Sequence, residues 1–287
     1  MWLGLERLLR RASAPLSAGG AAPKAAASAD VLPVGLTSDQ VDRFREQGYL
    51  SRIPVLTPEE VVDFRERFDA LESAEIRRRG GTWENRSYRP DVNPEHPVRD
   101  WYRGLATHPR ILAAVEALIG PDILIRNADL FLKPPSWKGN VRWHTDTAMP
   151  YSEVKGMVTA WVGLSPSTRR SGCLEFIPGS HLREIHDGPA DRFNLNLNAG
   201  ALRQLDTKSA VCNIMEAGQM SIHSFRTVHR SQRNRSRERR YGFAIRFLSA
   251  ETSCEAAESG VATLVRGSVR ANTFMLRPFF PMSWWEG

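Results

Sequence analysis

The spacing of apolar positions changes once along the chain. Before residue 121 it is helical. Thr37 and Gln40 form a capping-box pattern, Val41 and Phe44 share a helical face, and Gly48 is a C-terminal stop. The signal repeats at Thr57-Pro58-Glu59-Glu60, with Val61, Phe64, Phe68 and Leu71 three and four apart and Gly80-Gly81 ending the run. Residues 82–97 are polar and proline-bearing, which predicts a loop placed to lie over a pocket mouth. Thr107 is expected to cap a third helix, with Ile111, Leu112, Val115, Leu118 and Ile119 as its buried stripe before Gly120-Pro121.

From Asp122 onward the units become short and rich in β-branched and aromatic residues. DILIRNADLFL, NVRWHTDT, GMVTAWVGLS, GCLEFIPGS, AVCNIM, QMSIH and RYGFAIRFL are each of strand length and separated by Gly, Pro or Ser. Helices first and strands later predict an α+β protein with N-terminal helices flanking a β-core. Seven or eight short strands suit a jelly-roll double sheet, the double-stranded β-helix of cupin-like proteins. Residues 1–36 are Ala-rich and of low complexity, so the domain is expected to span residues 37–287 behind an N-terminal extension.

Composition narrows the class. Hydrophobic residues at 41% and charged residues at 25% are ordinary for a globular protein, and no run approaches the roughly 18 apolar residues of a membrane span. Cys173, Cys212 and Cys254 are widely spaced with no CxxC pair, which points to a reducing compartment and a cytoplasmic location. The alternative is a mitochondrial or other organellar location, because the first residues can form an arginine-bearing amphipathic helix and acids are scarce there. The net charge of +7 is concentrated at Arg226, Arg230, Arg233, Arg235, Arg237, Arg239 and Arg240. Without aromatic interleaving this run reads as a solvated loop and strand edge, and no nucleic-acid or membrane partner is expected.

The candidate chemistry centres on Trp143-His144-Thr145-Asp146-Thr147. Alternate side chains of a strand share a face, so His144 and Asp146 are expected to point into one pocket. His229, in the later FRTVHRSQRN stretch, is the best third ligand, with His223 as its competitor. Two histidines and one carboxylate leave coordination positions open, which suits a non-haem Fe(II) centre that also binds a co-substrate and oxygen. His181 reads as orienting the IPGSH turn; His96, His108 and His186 read as surface or loop residues. Trp284 and Trp285 read as a tail docked on the core.

WHTDT, TAWVGLSPSTRRSGCLEFIPGSH and GQMSIHSFRTVHRSQRNRSRERRYGFAIRF together resemble the phytanoyl-CoA dioxygenase family of Fe(II)/2-oxoglutarate-dependent oxygenases, from about residue 122 to 248. The wording of AWVGL and GCLEFIPGSH is similar to its branch of secondary-metabolite hydroxylases. The resemblance implies His144, Asp146 and His229 as iron ligands and Arg240 as the arginine on the distal carboxylate of 2-oxoglutarate. Arg239 would face the other side of the strand. It further implies Ser231 as an aid to that carboxylate and Asn127 as a hydrogen-bonding partner of the co-substrate near the metal, with Thr147 and Trp161 as pocket lining. The implied reaction is hydroxylation of a small molecule, free or tethered to CoA or a carrier protein, with O2 consumed and succinate and CO2 released. A carboxylate at Asp146 favours hydroxylation over halogenation and leaves desaturation and cyclisation open. Two other readings remain: a cupin-like Zn or Mn hydrolase or isomerase, which has no need of Arg240, and a basic module gripping RNA or a carrier through the arginine run.

Overall fold

In the computed structural model, the described residues are 35–79, 98–136, 138–147, 156–185, 196–252, 261–269 and 275–276. The N-terminal extension up to residue 34, the expected loop at 82–97, His96, His186, Cys254 and the Trp284-Trp285 pair lie outside them. Among the described residues no helix is long and apolar enough to cross a membrane.

Two antiparallel sheets and a helical layer make an α+β architecture. The helices are α1 (Ser38–Gln47), α2 (Pro58–Arg79), α3 (Val98–Ala106), α4 (Pro109–Ile119) and the short α5 (Ala199–Arg203). The larger sheet has the order β1 (Tyr49–Pro54), β7 (Gln219–Ser224), β4 (Met157–Gly163), β9 (Arg240–Ser249), β2 (Ile123–Lys133), β10 (Val261–Arg266), β11 (Met275–Leu276). Among the described residues only the β10–β11 pair is parallel. The smaller sheet runs β3 (Val141–His144), β8 (His229–Ser231), β5 (Leu174–Phe176), β6 (Val211–Cys212).

Both capping boxes form: Thr37 with Gln40, and Thr57 with Glu60, each exchange backbone and side-chain bonds. One cap differs from expectation. Thr107 donates its hydroxyl to Arg103 O and closes α3, while His108 caps α4 by accepting the Arg110 amide on Nδ1. Pro109 at the first helical position makes this the natural start, since it has no N–H to satisfy.

The alternation of the large sheet explains where everything lies. Ala128, Leu130, Leu132, Val158, Ala160, Val162, Phe243, Ile245 and Phe247 pack with Leu105, Ile111, Leu112 and Val115 in the core under the helices. The intervening residues face the small sheet, where Trp161 and Ala244 meet Leu174, Phe176 and Met215. With both faces covered, β4 is buried at every position, which is why its sequence reads as a continuous apolar run.

Gly242 shows how close the inner layer is. A Cβ built there lies 2.1 Å from Trp161 Cζ2, and Trp161 is buried. Gly242→Ala therefore forces a rigid indole to move and should destabilise the fold by about 1–3 kcal/mol. A lowered urea midpoint at unchanged slope is the expected measurement.

Candidate metal centre and carboxylate pocket

His144 and His229 are register partners across β3 and β8, and their rings are 4.0 Å apart. Each ring is tied in the same way: Nδ1 lies 2.9 Å from the carbonyl two residues earlier, Arg142 O and Thr227 O respectively. A carbonyl only accepts, so Nδ1 carries the proton and Nε2 keeps its lone pair for a metal. The strand ends at His144, so Asp146 does not reach the pocket by alternation as expected. It sits in the following bend, which is held in place by the Asp146 amide donating to Phe225 O at 2.7 Å. Ligand atoms of His144, Asp146 and His229 nevertheless lie within 4.8 Å of one another.

Three strands of the large sheet grip Asp146. Thr159 from β4 donates its hydroxyl to Oδ2 at 2.5 Å, His223 from β7 donates Nε2–H to the same oxygen at 3.1 Å, and Arg246 from β9 lies 3.5 Å from Oδ1. Oδ2 thus has two protein donors, while Oδ1 faces only the more distant Arg246. His223 is therefore a support of the carboxylate, not a member of the ligand cluster. Burial alone would raise the Asp146 pKa, but Arg246, the His223 bond and His229 outweigh it and hold the carboxyl well below its usual range. Burial pushes both ligand histidines down, His229 furthest because His144 and His223 add to it. All three groups are thereby in the protonation states that bind a cation.

A second cluster lies on the same inner faces. Arg240, buried, donates Nη1 to Gly172 O at 2.5 Å and to Ser231 Oγ at 3.2 Å, and its guanidinium is 5.1 Å from the Trp161 ring centroid. Its Nε is buried without a hydrogen-bond partner among the described residues. Burial pushes its pKa down to about 10. Arg239 points the other way, to Asp69 and the Tyr241 hydroxyl. Sequence reasoning missed Lys133, which is the register partner of Arg240 and reaches Ser231 Oγ, Gln232 O and Gly172 O. Asn127 shares the inner face of β2 but pairs in register with Arg246, so it stands at the metal end and not in the Arg240–Ser231 cluster. Its Oδ1 has no hydrogen-bond partner among the described residues. His181 docks on α1 through Arg45 O, and His108 bonds Glu60.

The arginine run divides by task. Arg226 binds the carbonyls of His181 and Arg183, and Arg230 pairs with Glu175 over the Trp143 ring. Arg233, Arg235 and Arg237 are exposed.

Thr159→Val removes one donor to Asp146 with little change of shape and should weaken divalent-cation binding by about 10–100-fold, read by Mn(II) titration, while the melting temperature barely moves. The metal-free protein should also lose stability in two acid stages. Histidines with depressed folded pKa values let the unfolded state take protons first, so stability falls once the pH drops below about 6.5. The Asp146 contribution is complete above about pH 3.8 and is lost as the pH falls through its lower folded value. Urea midpoints from pH 8 to 3 test this; a flat profile between 7 and 5 contradicts it.

Comparison with known proteins supplies the family. The model of the phytanoyl-CoA dioxygenase (PhyH) family matches residues 44–242. Bovine peroxisomal phytanoyl-CoA dioxygenase is 27% identical over 80% of this chain and 76% of its own length. A probable alpha-ketoglutarate-dependent hypophosphite dioxygenase of Stutzerimonas stutzeri is 22% identical over 75% and 79%. Among solved structures, the non-heme monooxygenase ThoJ superposes with a TM-score of 0.65 at 25% identity, covering 84% of this chain and 88% of ThoJ. The non-heme alpha ketoglutarate dependent carbocyclase SnoK from nogalamycin biosynthesis gives 0.60 at 23%, covering 87% and 95%. With a family model spanning more than half its residues, the chain belongs to the phytanoyl-CoA dioxygenase family.

Proposed function

We propose that the protein is an Fe(II)- and 2-oxoglutarate-dependent dioxygenase that hydroxylates a small molecule, free or tethered to CoA or a carrier protein. The observation that carries this reading is the pairing of two clusters. A His-Asp-His set stands at one end of β8, and a buried arginine meets Ser231 at the other. A 2-oxo dicarboxylate has the same two ends, an oxo-acid chelator and a distal carboxylate. His144, Asp146 and His229 would hold the iron, and Arg240 with Ser231 would hold the distal carboxylate by charge-assisted bonds. When bound, iron with 2-oxoglutarate and O2 supplies the oxidative decarboxylation to succinate and CO2 and the oxidant for a substrate C–H bond. The chain orients these partners, and Trp161, Phe176 and Leu174 keep bulk water from the inner layer.

Facing sheets of this kind are read as the double-stranded β-helix, in one catalytic domain from residue 37 onward. A cupin-like hydrolase or isomerase would leave the buried Arg240 without a task. Asn127, the register partner of Arg246, would be the residue that touches the co-substrate near the metal. The carbocyclase and monooxygenase among similar structures leave the fate of the substrate C–H bond to the pocket walls, and hydroxylation is the outcome favoured by an intact Asp146.

Anaerobic titration of apo-protein with Fe(II) and 2-oxoglutarate should give the weak visible charge-transfer band of the chelate, and Asp146→Ala should abolish it. Arg240→Ala should keep the iron and weaken 2-oxoglutarate by about 1.5–3 kcal/mol. A wild-type protein that binds Zn or Mn but gives no band with Fe(II) and 2-oxoglutarate would refute the proposal.

A further inference from the structure

Lys133 and Arg240 face each other across β2 and β9 and both turn into the inner layer, where each is buried. They converge on the same acceptors. Arg240 Nη1 meets Gly172 O and Ser231 Oγ, and Lys133 Nζ meets Ser231 Oγ, Gln232 O and, at 3.3 Å, Gly172 O. Gly172 is required for this arrangement: its φ is +75°, and a Cβ would lie 2.2 Å from Gln232 O. Ser231 turns its own proton to Gly172 O, so its oxygen lone pairs face the two cations. Two cationic side chains brought to one buried acceptor pair repel each other, and burial disfavours charge on both. Arginine does not give up its proton in a protein, whereas lysine does.

We propose that Lys133 is the second cation of the co-substrate subsite: with Arg240 it takes the distal carboxylate of 2-oxoglutarate, and it becomes protonated as that carboxylate arrives, so that binding takes up a proton from solvent. This rests on the 2-oxoglutarate reading above. The groups that face Lys133 fix the direction. Burial acts first and Arg240 on β9 second to push the amine down to about 6, while Cys173 and Glu175 at the β5 edge oppose them weakly. Above that pH the amine is mostly neutral in the free protein. An incoming carboxylate offsets the repulsion from Arg240 and restores the charge. The sign follows: the affinity for 2-oxoglutarate is flat below about pH 6 and falls as pH rises beyond it, by at most about tenfold per unit.

The test is calorimetric titration of the Mn(II)-loaded protein with 2-oxoglutarate at pH 7.5 in phosphate and in Tris, whose different ionisation heats report protons exchanged with buffer. Wild type should take up a net proton approaching one per ligand. Lys133→Arg, charged at every pH used, should bind with uptake near zero and a flat profile from pH 6.5 to 8.5. Lys133→Met should bind more weakly and also lose the uptake. Normal binding without proton uptake in wild type, or uptake that persists in Lys133→Arg, overturns the proposal. If Lys133→Met does not fold, the wild-type uptake and its pH slope decide alone. Failure of the Mn(II)-loaded wild type to bind 2-oxoglutarate at any pH is a separate result, and it overturns the dioxygenase reading together with this one.

Discussion

The Asp146 carboxylate is the point on which the two sheets depend. It belongs to the bend after β3, yet its donors come from β4, β7 and β9 of the opposite sheet. A buried carboxylate without such partners would take a proton or leave the interior, at a cost of several kcal/mol. Here Arg246, His223 and His229 keep it ionised, Thr159 bonds its Oδ2, and the Phe225 carbonyl fixes its backbone. The contacts that hold this carboxylate therefore also tie the bend after β3 to the opposite sheet. Mutations at this carboxylate should affect fold and site together, whereas those at a single donor need not.

Much of this was legible in the sequence because the strands obey a period of two. Polar residues inside apolar strands mark the inner face: Asn127, Asp129 and Lys133 alternate with Ala128, Leu130 and Leu132, and Arg240 and Arg246 alternate with Tyr241, Phe243 and Ile245. The His-Asp-His set was readable from residue type and order. Lys133 was missed because a lysine before Pro134-Pro135 looks like a strand end turned to water; counting by twos from Asn127 would have placed it inside.

The missed elements have local causes. β1 breaks its own alternation, since Arg52 has φ +60° and the register shifts between Leu50 and Ile53. Its Pro54 is tolerated because β1 is an edge strand. α3 carries Gly104 in a nine-residue helix and offers too few turns for a clear period, although Trp101, Tyr102 and Leu105 bury well. β10 and β11 are short and lie at the far edge of the sheet, where pairing with β2 and with each other, not sequence pattern, makes them strands. The cap of α4 fell one residue later than expected because Pro109 needed no donor.

Arg240 and Arg246 lie on one face of one strand, yet they present opposite electrostatics. Arg246 bonds Asp129 at 2.7 Å and lies against Asp146, and these carboxylates overcome the burial that would lower its pKa and raise it instead. Its charge is already answered, so it offers little net attraction to an anion. Arg240 makes no ion pair among the described residues, keeps an unbonded Nε, and has its pKa lowered by burial. Of the two arginines, Arg240 is therefore the one whose charge is left unanswered among the described residues. The order of the two arginines along β9 gives the inner layer an electrostatic direction, with a paired charge beside Asp146 and an unanswered one toward the start of the strand.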